Sequence, residues 1–323
     1  MHYESVFRAS TFAGKRILIT GGGSGIGRCT AHELATLGAH VILLARSADA
    51  LARVQREIVQ CGGRCDCVVA DVRNPEAVRA AVASAVASFG FLSGLVNCAG
   101  GQFPSPAEAI SDKGWRAVVD LNLNGTWNVI KAVQSHHQPS NGPLSIVSVT
   151  ADVRNGKLFM AHTAAARAGV ENLTMTLAQE WGSQGIRVNC VAPGTILGNG
   201  ISSYADQVKQ QTVETHFMTP AGRLGTEAEI SSAIVFLLSP GASFVTGHTI
   251  QVTGGAHLRK GFEDAFMPYV SENTVPPYFG FTSIAGKADT DPGAEQIPAY
   301  FASGKIPAGF EGLVAEYMKG SKL

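Results

Sequence analysis

The chain has 323 residues, and its 25 Lys and Arg balance 25 Asp and Glu, so no net charge draws it to nucleic acid or an anionic membrane; a small-molecule partner is expected. Apolar residues make up 45% of it, yet no unbroken apolar run approaches the roughly 18 residues that span a bilayer, which excludes a membrane helix. The length suits one large α/β domain with an appendage.

Residues 1–14 contain His2, Glu4 and Arg8 and lack the apolar centre of a signal peptide, so export is not expected. Seven short apolar runs follow, at 16–19, 41–44, 67–70, 94–97, 145–149, 187–191 and 249–252, separated by segments of mostly helical spacing. This alternation predicts a doubly wound α/β fold of Rossmann type, with a parallel seven-stranded sheet and ligands at the carboxyl ends of its strands. Gly38 closes one predicted helix, Asn74 and Pro75 open another, and Thr226 with Glu229 forms a capping box before a third. Six cysteines in so long a chain do not make a disulfide framework and fit a reducing interior. Cys98 and Cys190 read as buried strand ends. Cys61, Cys65 and Cys67, with no His nearby, read as small buried hydrophobes, and no metal site is expected.

The first strand runs directly into Thr20-Gly21-Gly22-Gly23-Ser24-Gly25-Ile26-Gly27 and then a helix. In that context Gly21, Gly23, Ser24, Gly25, Ile26 and Gly27 form a turn that lets backbone amides and a helix N-terminus approach a dinucleotide pyrophosphate. After the second strand, where an acidic residue would bind the ribose of NAD, stand Arg46 and Ser47. The guanidinium suits a 2′-phosphate, so NADPH is expected over NADH; the alternative is a solvated arginine opening the next helix. Asp71 and Val72 end the third strand, where a carboxylate accepts from the adenine amino group and an aliphatic side chain covers the ring. Asn97, Ala99 and Gly100 end the fourth, with small residues that let the backbone lie against a cofactor. Beyond the sixth strand, Pro193, Gly194 and Ile196 take the place that faces the nicotinamide amide. Residues 197–220 have the mixed polarity of a lid.

Residues 1–256 therefore read as the Rossmann domain and 257–323 as an irregular extension rich in Pro, Gly and aromatics, with a periodic stretch only at 308–319. In the extension, Arg259 and Lys260 read as a solvated pair rather than a site for a CoA phosphate. The chain ends in Ser321-Lys322-Leu323, which is the address read by the peroxisomal import receptor.

Taken in order, the turn at 20–27, Asn97-x-Ala99-Gly100, Asn122-Leu-Asn-Gly125 and Pro193-Gly194 resemble the short-chain dehydrogenase/reductase superfamily over roughly residues 15–255. Within it, residues 100–108 and 162–170 resemble peroxisomal trans-2-enoyl-CoA reductases and 2,4-dienoyl-CoA reductases. The resemblance implies a fatty acyl-CoA thioester as substrate, a peroxisome or a related organelle such as a glycosome, and a homotetramer.

Most of that superfamily reduces carbonyls with a Tyr-x-x-x-Lys pair. Here the matching positions hold Thr163 and Arg167. A threonine hydroxyl is far too weak an acid to protonate an alkoxide. Hydride addition to an enoyl thioester instead needs donors aimed at an enolate oxygen. Thr150, in register with the superfamily's serine, and Thr163 are the expected donors, Arg167 the charge that holds the nicotinamide ribose, and Asn122 the anchor of a water-linked proton path. The resembling families carry a tyrosine in register with Glu171 or with Asp152, and neither role transfers; a bound water or one of these carboxylates is left as proton donor. Two alternatives stand beside double-bond reduction: a 3-oxoacyl-CoA carbonyl reductase with another acid, and a nucleotide-binding scaffold or sensor without turnover.

Overall fold

A computed structural model describes residues 2–198, 219–258, 278 and 280–282. In chain order these form β1 (His2–Tyr3), β2 (Arg16–Thr20), α1 (Gly25–Thr36), β3 (His40–Ala45), α2 (Ala48–Gln60), β4 (Arg64–Val69), α3 (Pro75–Phe89), β5 (Gly94–Asn97), α4 (Asp112–Val119), α5 (Gly125–Gln134), β6 (Leu144–Val149), α6 (Ala161–Trp181), β7 (Ile186–Pro193), β8 (Ile196–Leu197), β9 (Gly225–Thr226), α7 (Glu227–Leu238), β10 (Thr249–Val252) and β11 (Phe281–Thr282). Seven strands make one parallel sheet in the order β10-β7-β6-β5-β2-β3-β4. The order reverses between β2 and β5, so the crevice for a ligand opens outside the carboxyl ends of those strands.

The period-two alternation of each strand divides its side chains between two cores. Ile17, Ile19, Val41, Leu43, Val96, Val147 and Val191 pack under α1, α2 and α7 through Leu34, Val54, Ile58, Ile230 and Ile234. Leu18, Ile42, Leu44, Leu95, Ile146 and Val188 face the opposite layer, where Val78, Val82, Val129, Val133 and Leu177 of α3, α5 and α6 cover them. The predicted caps are present: Asn74 accepts from the Ala77 amide, and Thr226 and Glu229 form a reciprocal capping box. Among the described residues no helix is long and apolar enough to cross a membrane.

The third strand departs from the sequence reading. It begins at Arg64 and ends at Val69, so Asp71 and Val72 lie beyond its end. Strand β4 is a sheet edge, and polar residues are tolerated there: Asp66 pairs with His40 of β3 at 2.7 Å. The cysteines also differ from expectation, since Cys65 is buried and Cys67 half-buried but Cys61 is exposed at the end of α2. Among the described residues no three His, Cys, Asp or Glu side chains are grouped to hold a metal.

A second, two-stranded antiparallel sheet joins the N-terminus to residues 281–282 of the extension, β1 pairing with β11. Tyr3 and Ser5 donate to the buried carboxylate of Glu33 on α1 at 3.1 and 2.7 Å, and Ser231 of α7 donates at 2.5 Å. Phe281 stacks edge-on against Tyr3 and His32, with the Arg28 guanidinium 5.1 Å from its centroid. The described part of the extension thus docks on α1, behind the glycine turn. Residues 199–218 of the predicted lid at 197–220, the pair Arg259 and Lys260, the periodic stretch 308–319 and Ser321-Lys322-Leu323 lie outside the described residues.

Candidate active site

The glycine turn is set by close backbone contacts. Gly21, at φ +66°, donates to the Leu44 carbonyl of β3 at 2.8 Å. A Cβ on it would lie 2.9 Å from the Ala99 amide nitrogen, and a Cβ on Gly27 would lie 2.4 Å from the Gly21 carbonyl oxygen. Only glycine lets α1 sit this close to the turn. Gly23 is packed in the same way against Ala50 of α2, at 3.0 Å. Ser24 is the extended N-cap of α1, followed by Gly25 and Ile26 in its first turn, whose amides have no intrahelical acceptors. A cradle lined by backbone and by a helix N-terminus fits a pyrophosphate.

Arg46 is exposed just past β3 and makes no hydrogen bond or ion pair with another described residue. Ser47 caps α2 by accepting from the Ala50 amide at 3.2 Å. Asp71 is less available than the sequence implied. Arg73 grips both of its oxygens, at 2.6 to 3.1 Å, and holds the carboxyl below the usual range, with Arg46 adding to the effect. Val72 is buried against Gly125, and its carbonyl accepts from Asn128 at 2.9 Å.

At the end of β5 the Ala99 amide donates to Thr20 Oγ1 at 3.1 Å, and Asn97 Nδ2 donates to Ser148 Oγ at 3.2 Å, leaving Asn97 Oδ1 buried without a partner among the described residues. Gly100 lies between two predicted catalytic residues. A Cβ there would be 2.2 Å from Arg167 Nη2 and 2.9 Å from Asn122 Oδ1. Asn122, fully buried in a π-turn spanning Asp120–Asn124, donates to the carbonyls of Gly101 and Val118 at 2.8 Å each and accepts from the Gly101 amide at 3.3 Å. Its amide therefore clamps the loop that carries Gly100.

Arg167 is 8% exposed and donates from Nη1 to the Val149 carbonyl at 2.9 Å. Burial pulls the guanidinium down to about 10, which leaves it cationic at neutral pH. Its thiol neighbours do not balance the charge, since burial pushes Cys98 and Cys190 up to about 12. No carboxylate among the described residues pairs with it. A guanidinium has five donors, and an unpaired buried cation is expensive, so the remaining N–H groups suit a polar ligand such as ribose hydroxyls.

One face of α6 brings the rest together. Thr163, Arg167, Glu171 and Thr174 recur at three- and four-residue spacing along the carboxyl edge of β6 and β7. Thr150 Oγ1 donates to Glu171 Oε1 at 3.0 Å and lies 3.3 Å from the Val191 carbonyl. Thr174 Oγ1 meets Cys190 Sγ at 3.1 Å. Thr163 is buried, and its hydroxyl lies 3.3 Å from His162 Nδ1, which accepts the Thr163 amide at 2.8 Å. No hydrogen bond joins Thr150 to Thr163. Two neighbours, His162 and Glu171, were given no fixed role by the sequence; the i, i+4, i+8 spacing of Thr163, Arg167 and Glu171 is the signal that points to the second. Across the crevice, Pro193 ends β7, Gly194 is pressed against the Thr253 backbone with Cβ room of only 2.8 Å, and Ile196 pairs with Gly225 in the short β8–β9 sheet.

Comparison with known proteins places the chain in a family. Residues 21–257 match a family model described as enoyl-(acyl carrier protein) reductase, a branch of the short-chain dehydrogenases. The chain is 39% identical over 246 residues to a probable 2,4-dienoyl-CoA reductase of Bacillus subtilis, covering 76% of this chain and 97% of that protein. It is 37% identical over 258 residues to the peroxisomal 2,4-dienoyl-CoA reductase of Rattus norvegicus, covering 79% and 88%. Among solved structures, the citronellol catabolism dehydrogenase AtuB of Pseudomonas aeruginosa PAO1 is 46% identical and superposes with a TM-score of 0.71, covering 79% of this chain and all of that one.

Proposed function

Because the chain belongs to the short-chain dehydrogenase/reductase family, whose oxidoreductases use a nicotinamide cofactor, we propose that it reduces the carbon-carbon double bond of a fatty enoyl-CoA thioester with NADPH. The observation that carries this reading is the pair Thr163 and Arg167 at the positions where a carbonyl reductase of the family keeps tyrosine and lysine. Neither is an acid able to protonate an alkoxide, while both are donors suited to an enolate and a ribose. When bound, the reduced nicotinamide supplies a hydride. The backbone of Gly21–Gly27, with Asn97, Ala99, Gly100, Pro193, Gly194 and Ile196, would hold the cofactor, and Arg167 would hold its ribose. Thr150 and Thr163 donate to the thioester oxygen as charge collects there, and Asn122 keeps the Gly100 loop in place, with the second lone pair of Oδ1 available to a water. We take residues 1–256 as the catalytic domain.

The reading predicts steady NADPH oxidation with 2-enoyl- or 2,4-dienoyl-CoA and none with 3-oxoacyl-CoA. Turnover on the ketone alone would refute it, and tight NADPH binding without turnover on any thioester would favour a sensor. Arg46 tests the cofactor. A guanidinium on a phosphate is worth about 1.5–3 kcal/mol, so Arg46→Ala should raise the KM for NADPH roughly 10- to 100-fold and leave that for NADH unchanged. Equal effects on both would show that Arg46 does not meet the 2′-phosphate.

The terminal Ser321-Lys322-Leu323 and the peroxisomal rat relative support import into a peroxisome-type organelle. A fluorescent reporter ending in this chain's last residues should become organellar, and should stay diffuse when Leu323 is removed.

A further inference from the structure

We propose that Glu171 is the proton source of the site, acting through Thr150. The inference rests on the double-bond reading for its substrate but not for its test. Glu171 lies one helical turn beyond Arg167 and two beyond Thr163, on the face of α6 that meets the ends of β6 and β7, with Oε1 3.0 Å from Thr150 Oγ1. Thr150 has one hydroxyl hydrogen and two acceptors in reach, Glu171 Oε1 and the Val191 carbonyl at 3.3 Å. The arrangement has two states. With Glu171 ionised, Thr150 donates to it. With Glu171 protonated, the carboxyl donates to Thr150 Oγ1 and frees the threonine hydrogen for the substrate.

The surroundings support the protonated state. Burial raises the Glu171 carboxyl above its ordinary range, and Asp152 pushes the same way, against the Thr150 hydrogen bond and Arg154. The other groups facing it are the Cys190 thiol of β7, neutral at physiological pH, and, four residues ahead on its own helix, Arg167, whose guanidinium is turned to the Val149 carbonyl. Glu171 is only half-buried, so solvent can reload it. The β- or δ-carbon gains the hydride, the electron pair of the double bond passes to the thioester as an enolate, and the enolate gains the Thr150 proton. Thr150 takes a proton from the Glu171 carboxyl, and the carboxylate is reprotonated from water between turnovers.

The test compares wild type with Glu171→Gln, which keeps the acceptor but cannot ionise, and with Glu171→Asp, on whichever thioester wild type reduces. Wild-type kcat should fall as pH rises through the raised carboxyl value, because the acid form is the active one. Glu171→Gln should lower kcat by about 100-fold with cofactor KM unchanged and should abolish that high-pH decline, while Glu171→Asp restores it. A second readout needs no cofactor. The folded state favours the protonated carboxyl, so the stabilisation is complete below the unfolded value of 4.5 and is lost as pH rises through the raised folded value. The thermal midpoint of wild type should drop over that window by more than that of Glu171→Gln, which keeps the other raised buried carboxyl, Glu33. Glu171→Gln with wild-type kcat, or a lowered kcat that keeps its high-pH decline, overturns the proposal. If wild type reduces only a ketone, the double-bond reading fails, and the same comparison run on the ketone still decides the role of Glu171.

Discussion

Replacing Arg167 with methionine should cost the enzyme roughly 100- to 1,000-fold in kcat/KM and none of its thermal stability. The two halves of that expectation come from one fact, that among the described residues the guanidinium is a buried cation with a single carbonyl partner and no anion opposite it. An interior charge in this state is destabilising to the folded protein, and a side chain of similar length without the charge removes that burden. The donors that remain unused in the fold can act only on a ligand, and losing oriented donors of this kind costs about 3–4 kcal/mol of transition-state stabilisation. Arg167→Lys should be intermediate, because an ammonium keeps the charge but lacks the planar fork that reaches the Val149 carbonyl and a ribose together. The measurements are steady-state kinetics and a thermal melt of the same preparations. If the melt drops and activity falls only in proportion, Arg167 is a strut between α6 and β6, and the cofactor-holding role is lost with it.

How far this site could be read from sequence depends on how local each contact is. The glycine turn was legible because strand, turn and helix are contiguous, and its tightest contacts, at Gly21 and Gly27, are with backbone atoms of the same unit or the next strand end. Thr163 and Arg167 were legible as a departure from a spaced pair on one helix. The third strand was misplaced because Arg64 and Asp66 break the apolar run, and only its position at the sheet edge explains why a strand can hold them. Asp71 looked available for an adenine because the sequence does not show Arg73 folding back two residues onto both oxygens. The Thr150–Glu171 contact joins residues 21 apart across a loop and nearly three helical turns, and it needs the phase of α6 against β6, which no propensity supplies. The pairing of β1 with β11 joins residues some 279 apart and has still less of a local signal.

Gly27→Ala should abolish dinucleotide binding, and it is the sharpest test of the turn because the obstruction is backbone against backbone. The added methyl would lie 2.4 Å from the Gly21 carbonyl oxygen and 2.9 Å from the Gly21 carbonyl carbon. No rotamer relieves this, since alanine has none that matters. Gly21 cannot retreat either: its amide is bonded to Leu44, and its own Cβ position is filled by the Ala99 amide. The first turn of α1 must therefore lift away from the turn, at about 1–3 kcal/mol for an overpacked contact, and its amides leave the positions where a pyrophosphate would meet them. Gly182→Ala is the control, because nothing lies within 4 Å of its Cβ position and its φ of −56° is ordinary for any residue. The first variant should show no NADPH fluorescence enhancement and a lower urea midpoint, and the second should match wild type in both. Retained binding in Gly27→Ala would mean that the helix can slide without opening the cradle, and that the cofactor is held chiefly by the far side of the crevice, through Arg167 and the Asn97–Gly100 segment.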